Sequence, residues 1–180
     1  GVDDVMAEVG RIIGDPSVEG LDLYRIFYYT AEPLTGTATN PLDQTTTDFA
    51  TTAVYARNKQ LIDLIENQPN VAVRRGTLAQ QGWEIGGAAL RNLVRGNKTS
   101  VTASDLKPKI QQKGVDMRIG LDIASLALKR LVGTIVLVTG DSDLVPAMKL
   151  ARREGVRVVL DTVGQAGVRP ELKKHADLVL

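Results

Sequence analysis

Gly140-Asp141-Ser142-Asp143 is the stretch of this sequence whose residue types most readily do chemistry. Two carboxylates two residues apart can reach a common point. Hard cations such as Mg²⁺ favour carboxylate oxygens and keep several of their waters, so the pair reads as half of a metal site. The same residues also have a plainer use, because Asp and Ser are preferred helix N-caps and a proline such as Pro146 is tolerated in a first helical turn. On that reading Asp143 or Ser142 simply caps the helix that follows.

Asp116 tips the balance toward chemistry. On a wheel at about 100° per residue, Ile119, Ile123, Leu126 and Ala127 fall in one arc, and Asp116 points into the middle of it. Arg118, Asp122, Ser125 and Lys129 form the opposite, solvated stripe. A carboxylate on the core-facing side has to be paired, capping or bound to a cation, because burying it alone is costly. The place of Asp116 in the first helical turn also suits an exposed mouth rather than a deep core, and capping or interaction with the helix dipole is the simpler alternative. Asp122 has Arg118 and Lys129 near it, so a surface ion pair accounts for it and it stays outside the site.

These carboxylates need a frame, and the pattern supplies one. Residues 134–138 (TIVLV) are a continuous apolar run, as expected of a central parallel strand. Residues 144–154 carry Leu144, Met148 and Ala151 on one helical face, Gly155 ends that helix, and 156–160 (VRVVL) is the next strand. The segment 134–160 is therefore a βαβ crossover, a parallel and right-handed pair. Ligands bind outside the carboxyl ends of strands in open parallel sheets, and Gly140–Asp143 lies at that end. Before it, the pattern predicts a helix over 115–131.

Further upstream, helix is expected over 5–13, strand over 21–30, and helix over 48–67 with Phe49, Ala53, Ala56, Gln60 and Leu64 at helical steps. Residues 71–73 read as a short strand entering Arg74-Arg75-Gly76, and 177–180 as a last short strand. The polar stretch 31–47 is long for a structureless connection, a kind often functional or mobile. Residues 80–104 give no clear pattern, although they hold Trp83, Gly86-Gly87 and the basic residues Arg91, Arg95 and Lys98.

With 180 residues and 43% hydrophobic content, the chain suits one well-packed α/β domain spanning 1–180. It has no cysteine, which excludes disulfides, thiolate metal sites and a Cys nucleophile and suits a reducing compartment. No apolar run approaches the roughly 18 residues of a membrane span. The acidic, polar start Gly1-Val2-Asp3-Asp4 does not read as a signal peptide, so the expectation is a cytoplasmic protein with no membrane partner. The net charge of +1 gives no bulk argument for nucleic-acid binding. Neither a G-x-G-x-x-G fingerprint nor a P-loop is present.

Lys113-Gly114-Val115-Asp116, then Asp122, then Val138-Thr139-Gly140-Asp141-Ser142-Asp143-Leu144 resembles the pattern of the NYN domain family, including its LabA-like branch. Leu144 stands where the family usually has Phe, and 149–159 (KLARREGVRVV) fits the helix-Gly-strand that follows. The specific match covers roughly residues 111–161. The resemblance implies a PIN-like, three-layer α/β/α sandwich with a mostly parallel central sheet and a metal-dependent ribonuclease site. Carried over by position, Asp116, Asp141 and Asp143 are the catalytic and metal-binding carboxylates, with Mg²⁺ or Mn²⁺ as cofactor. The family opens with a strand carrying a further Asp. This sequence starts essentially at its first helix, so that strand is expected to be missing.

Single-stranded RNA is the partner the resemblance implies, and a homodimer is compatible with it. RNA needs positive charge and stacking surface, for which Arg74, Arg75, Lys113 and Ser142 are the candidates, with Trp83 as a base platform. His175, the single histidine, reads as a surface residue, so a histidine-driven mechanism is not expected. Two rivals stay open. One is an inactive NYN module that binds RNA or protein. The other is a haloacid-dehalogenase-type phosphatase, whose last motif Gly140–Asp143 resembles but whose early D-x-D nucleophile has no counterpart before residue 60.

Overall fold

The computed structural model describes residues 1–165 and 167–180. Its elements, in chain order, are α1 (Val2–Ile13), β1 (Ile26–Ala31), β2 (Thr37–Thr39), β3 (Thr46–Asp48), α2 (Ala53–Glu66), β4 (Val71–Ile85), α3 (Gly87–Val94), β5 (Leu106–Lys113), α4 (Val115–Leu128), β6 (Thr134–Val138), α5 (Val145–Arg153), β7 (Arg157–Asp161), α6 (Pro170–Lys174) and β8 (Leu178–Val179). The architecture is mixed α/β. The strands do not form one mostly parallel sheet: they group as β1-β4-β5, β2-β3 and β6-β7-β8. The chain divides into two compact units, Gly1–Lys113 and Gly114–Leu180.

In the first unit β4 serves two partners in succession. Its start pairs in parallel with β1, from Ile26↔Val71 to Ala31↔Gly76. The rest pairs antiparallel with β5, from Thr77↔Lys113 to Ile85↔Leu106, with a register shift between Gln80 and Trp83. The expected strand over 71–73 is thus the first part of a much longer one, and β5 announces itself weakly: Leu106, Pro108 and Ile110 alternate with lysines, but a proline interrupts them and polar Gln111-Gln112-Lys113 follows. Its residues LKPKIQQK are mostly exposed, and Pro108 is tolerated because β5 has a neighbour on one side only. Trp83 stands opposite Pro108 and is half-buried.

The stretch 31–47 is not structureless. It holds the β2–β3 ribbon, tied by buried Asn40, whose Nδ2 donates to Ala103 O at 3.0 Å and whose Oδ1 accepts from Leu42 N at 3.0 Å. α2 starts at a Thr52 cap, later than its apolar pattern implies, and it buries Ile62 and Ile65 rather than the face of Ala56, Gln60 and Leu64. Burial follows the side on which the helix meets β4, which spacing alone does not reveal.

Between α3 and β5 the backbone closes on Asp105. Its carboxylate accepts from Lys98 Nζ, from Thr102 N at 2.7 Å and from Thr102 Oγ1 at 2.8 Å. The Lys98 hydrogen bond is the main reason its pKa drops from 3.8 to about 2. A folded-state pKa below the unfolded one adds stability that is full above the unfolded value of 3.8 and is lost as pH falls through about 2. Melting temperatures measured between these limits should therefore fall more steeply for the wild type than for Asp105→Asn. Parallel curves would show that Asp105 has no part in acid sensitivity.

The second unit is built on the βαβ crossover that the pattern announced. β6 and β7 run parallel from Thr134↔Arg157 to Val138↔Asp161, and β8 joins β7 in parallel. The middle strand is β7 and not β6, so β6 is an edge strand of this sheet. Accordingly Val158, Val159, Leu160 and Asp161 are all buried, whereas most of β6 is half-buried. The core joins Ile123 and Ala127 of α4, Val145, Met148 and Ala151 of α5, Leu137, Val158 and Leu160 of the strands, and Leu172 of α6. Asp177 fastens the last strand: its Oδ2 accepts from Val158 N and its Oδ1 from Arg152 Nε, both at 2.8 Å. The Val158 bond, more than Arg152, holds its carboxyl below the ordinary range.

Candidate acidic site

The acidic turn follows from how β6 ends. Thr139 N donates to Asp161 O at 3.0 Å, one last bond to the neighbouring strand, and the chain then turns away. Asp141 N donates to Thr139 Oγ1 at 3.0 Å, and Asp141 Oδ1 accepts from Asp143 N at 2.9 Å. Asp141 is thus the cap of the helical turn Ser142–Leu144 that leads into α5, where Pro146 fits the first turn. The capping residue is Asp141, not Asp143 or Ser142. Buried Leu144 and Val145 anchor the turn from below, while Asp141 and Asp143 are exposed.

Thr139 serves the turn itself, through the bond its Oγ1 accepts from Asp141 N. Asp141 keeps its second oxygen clear of that local bonding. Asp143 makes no hydrogen bond or ion pair through its carboxylate among the described residues, and neither does Asp116.

Asp116 is exposed, as its place in the first helical turn allows, although the wheel directs it to the core-facing side. Ile123 and Ala127 are buried and Ile119 packs against the core, as the wheel requires. A wheel treats every turn as equally covered, and the first turn of a helix is not. Asp122 and Ser125, assigned to the solvated stripe, are half-buried. α4 opens on Gly114, whose φ of +78° is a left-handed conformation that glycine adopts without strain. α4 also packs against the turn 142–144.

Among the described residues no three acidic or histidine side chains converge closely enough to hold a metal ion. The donor chemistry is nevertheless that of a hard cation. Mg²⁺ is commonly held through one or two carboxylates together with waters and substrate phosphates, and Asp141 with Asp143 fits that partial kind of site. The residues do not make a closed three-carboxylate cage with Asp116.

Lys113, Arg74 and Arg75 belong to the other unit. Lys113 is exposed at the end of β5. The Arg74 guanidinium lies 5.0 Å from the centre of the Phe27 ring. Arg75 is ion-paired with Glu32 and Glu66, and its buried Nε has no hydrogen-bond partner. His175 is half-buried, with Nε2 at 3.2 Å from Glu171 Oε1, and so is less superficial than its flanking lysines suggest.

Three residues beside the turn escaped sequence reasoning. Asp161 ends β7 only 2% exposed, with Oδ1 accepting from Val163 N at 2.7 Å. A carboxylate closing an apolar parallel strand was a signal available in VRVVLD. Gln165 and Arg169 reach back to the turn from the segment after β7, and no periodicity could have placed them. Gln165 Oε1 fills the space a Cβ at Gly140 would need, and Arg169 Nη1 donates to Ser142 Oγ at 3.2 Å.

The family model of the NYN domain matches residues 45–180, which include this turn and the helix before it. The chain belongs to the NYN domain family. A protein of Sinorhizobium fredii named "Uncharacterized protein y4oD" is 39% identical over 69 residues, 37% of this chain and 32% of its own length. "Uncharacterized protein MJ0482" of Methanocaldococcus jannaschii is 28% identical over 109 residues, 59% of this chain and 45% of its own length. The NYN chain thus spans less than half the length of either relative. No solved structure matches it significantly. Among the described residues, no helix of this NYN domain is long and apolar enough to cross a membrane.

Proposed function

We propose that this NYN domain is a ribonuclease, acting on single-stranded RNA at the turn after β6 with the help of Mg²⁺ or Mn²⁺. On this reading the chain is one PIN-like α/β/α domain over 1–180, of the LabA-like branch. The observation that carries the proposal is the pair Asp141 and Asp143. Both are exposed on a hydrogen-bonded turn at the carboxyl end of a parallel strand, and Asp143 is unpaired among the described residues. An exposed carboxylate without a protein partner keeps both oxygens open to a hydrated cation.

A divalent ion at this pair supplies an electrophile for the phosphate and a more acidic water. The chain's part is to fix two oxygen donors at one place. The cap bond from Asp143 N orients Asp141, and Thr139 Oγ1 holds the Asp141 backbone. Asp116 is proposed as the third acidic member, carried by a helix that touches the same turn. Ser142 and Lys113 are proposed RNA contacts, ahead of Arg74 and Arg75, whose guanidiniums already meet Phe27 and two glutamates.

The test is cleavage of an end-labelled single-stranded RNA with Mn²⁺ or Mg²⁺. Products should form with either metal and disappear with EDTA; products that persist in EDTA would contradict the proposal. One observation favours a second reading, that of an inactive binding module: no three metal-ligating side chains converge among the described residues. That module would leave RNA intact and would show no rise in melting temperature with millimolar Mg²⁺, whereas metal binding to the folded state raises it.

A further inference from the structure

Gln165, Val168 and Arg169, which follow β7, lie against the acidic turn. Besides Gln165 against Gly140, Val168 Cγ2 lies 3.8 Å from where a Cβ of that glycine would stand. Arg169 caps α6, and its carbonyl accepts from Leu172 N at 3.0 Å. Leu172 is fully buried in the core, and α6 packs against the turn 142–144. Arg169 therefore projects from a fixed base.

Its guanidinium has an unusual partner. A cation bonded to the residue between two acidic ones has carboxylates as alternative, charged partners. Instead Arg169 Nη1 donates to the neutral Ser142 hydroxyl, between Asp141 and Asp143 in sequence, and the guanidinium makes no other hydrogen bond or ion pair among the described residues. Guanidinium carries five donors in a planar fork that matches phosphate oxygens, so four stay open on an exposed side chain. The acidic turn thus has a cation of its own, in the same unit, with its donors unspent.

We propose that Arg169 is the phosphate-contacting residue of this site, gripping the RNA backbone beside Asp141 and Asp143. The proposal rests on the ribonuclease reading above and adds the residue that offsets repulsion between two carboxylates and a polyanion. Ser142 sets the direction of the fork, and the phosphate takes the donors Ser142 leaves.

The experiment is binding of a fluorescent single-stranded RNA 12-mer, in Ca²⁺ so that the strand stays whole, across a salt series. Wild type, Arg169→Ala and Arg169→Lys are compared, with melting temperatures alongside. Loss of one phosphate contact should weaken binding about tenfold and make the logarithmic salt dependence about 0.7 shallower. Lys should restore the slope, because it keeps the charge, but not the full affinity, because it lacks the fork. Wild-type binding with an unchanged slope in Arg169→Ala would overturn the proposal, leave Arg169 a tie for its segment, and not touch the ribonuclease reading. A lost slope in a protein that cleaves nothing with Mg²⁺ or Mn²⁺ would uphold Arg169 and remove the nuclease. No RNA binding by the wild type would remove both.

Discussion

Asp141→Asn should lower metal-dependent RNA cleavage by roughly two to three orders of magnitude while leaving the protein as stable as before. The two halves of this expectation come from different atoms of one side chain. Asp141 Oδ1 accepts the Asp143 N–H at 2.9 Å and so caps the turn into α5. Asparagine keeps an oxygen there and is as good a cap as aspartate, so stability should move by no more than about 0.5 kcal/mol. What asparagine lacks is the negative charge. A metal-supported charge of this kind contributes several kcal/mol to a transition state, at about 1.4 kcal/mol per tenfold in rate.

Asp141→Ala separates the roles from the other side. It removes charge and cap together, so it should lose activity to the same degree and in addition about 1 kcal/mol of stability. Urea unfolding read beside the cleavage rate gives both quantities for each variant. If Asn cleaves like the wild type and Ala is merely less stable, Asp141 is a cap and nothing more, and the ribonuclease proposal loses its carrying observation.

What the sequence made legible was whatever depends on short spacing. The βαβ crossover of 134–160 was readable because its strands hold apolar runs, 135–138 and 158–160, and the helix between them has one apolar face. The turn that carries Asp141 and Asp143 was readable for the same reason: it sits at a strand end. The long β4 was not, because Arg74-Arg75-Gly76 breaks its apolar run after three residues and β5 pairs with it through mostly exposed residues. Antiparallel ribbons with little buried surface are held by backbone bonds, which leave little hydrophobic rhythm. The exposure of Asp116 was legible only from its place in the first turn, since periodicity gives direction around a helix but not how far along it the core extends. Arg169 was out of reach for another reason. Its link to Ser142 spans 27 residues and depends on α6 being pinned by Leu172.

Leu160→Ala should be the most destabilising of these substitutions, at about 3–4 kcal/mol, because it opens a cavity in the middle strand of the parallel sheet. Leu160 has 0% exposure and packs on the same side of β7 as Val158, in the cluster with Met148, Ala151 and Leu172. Its strand is paired on both edges, Leu160 with Leu137 of β6 and with Val179 of β8, so the backbone cannot close the gap by shifting. Against a typical total of roughly 5–15 kcal/mol, that loss is a large fraction. Leu121→Ala on α4 is the matched control, the same atoms removed from a side chain that is 63% exposed, and it should cost no more than about 0.5 kcal/mol. The next residue links this packing to the site. Asp161 O receives the Thr139 N–H at the root of the acidic turn, so loosening β7 should loosen the frame of Asp141 as well. Leu160→Ala is then expected to lose cleavage on warming well before the wild type, while at low temperature, with the sheet still formed, it cleaves nearly normally. Asp141→Asn should behave in the opposite way, inactive at every temperature and no less stable. Equal stability losses for Leu160→Ala and Leu121→Ala would mean that the β6-β7-β8 sheet is not the core that holds the acidic turn in place.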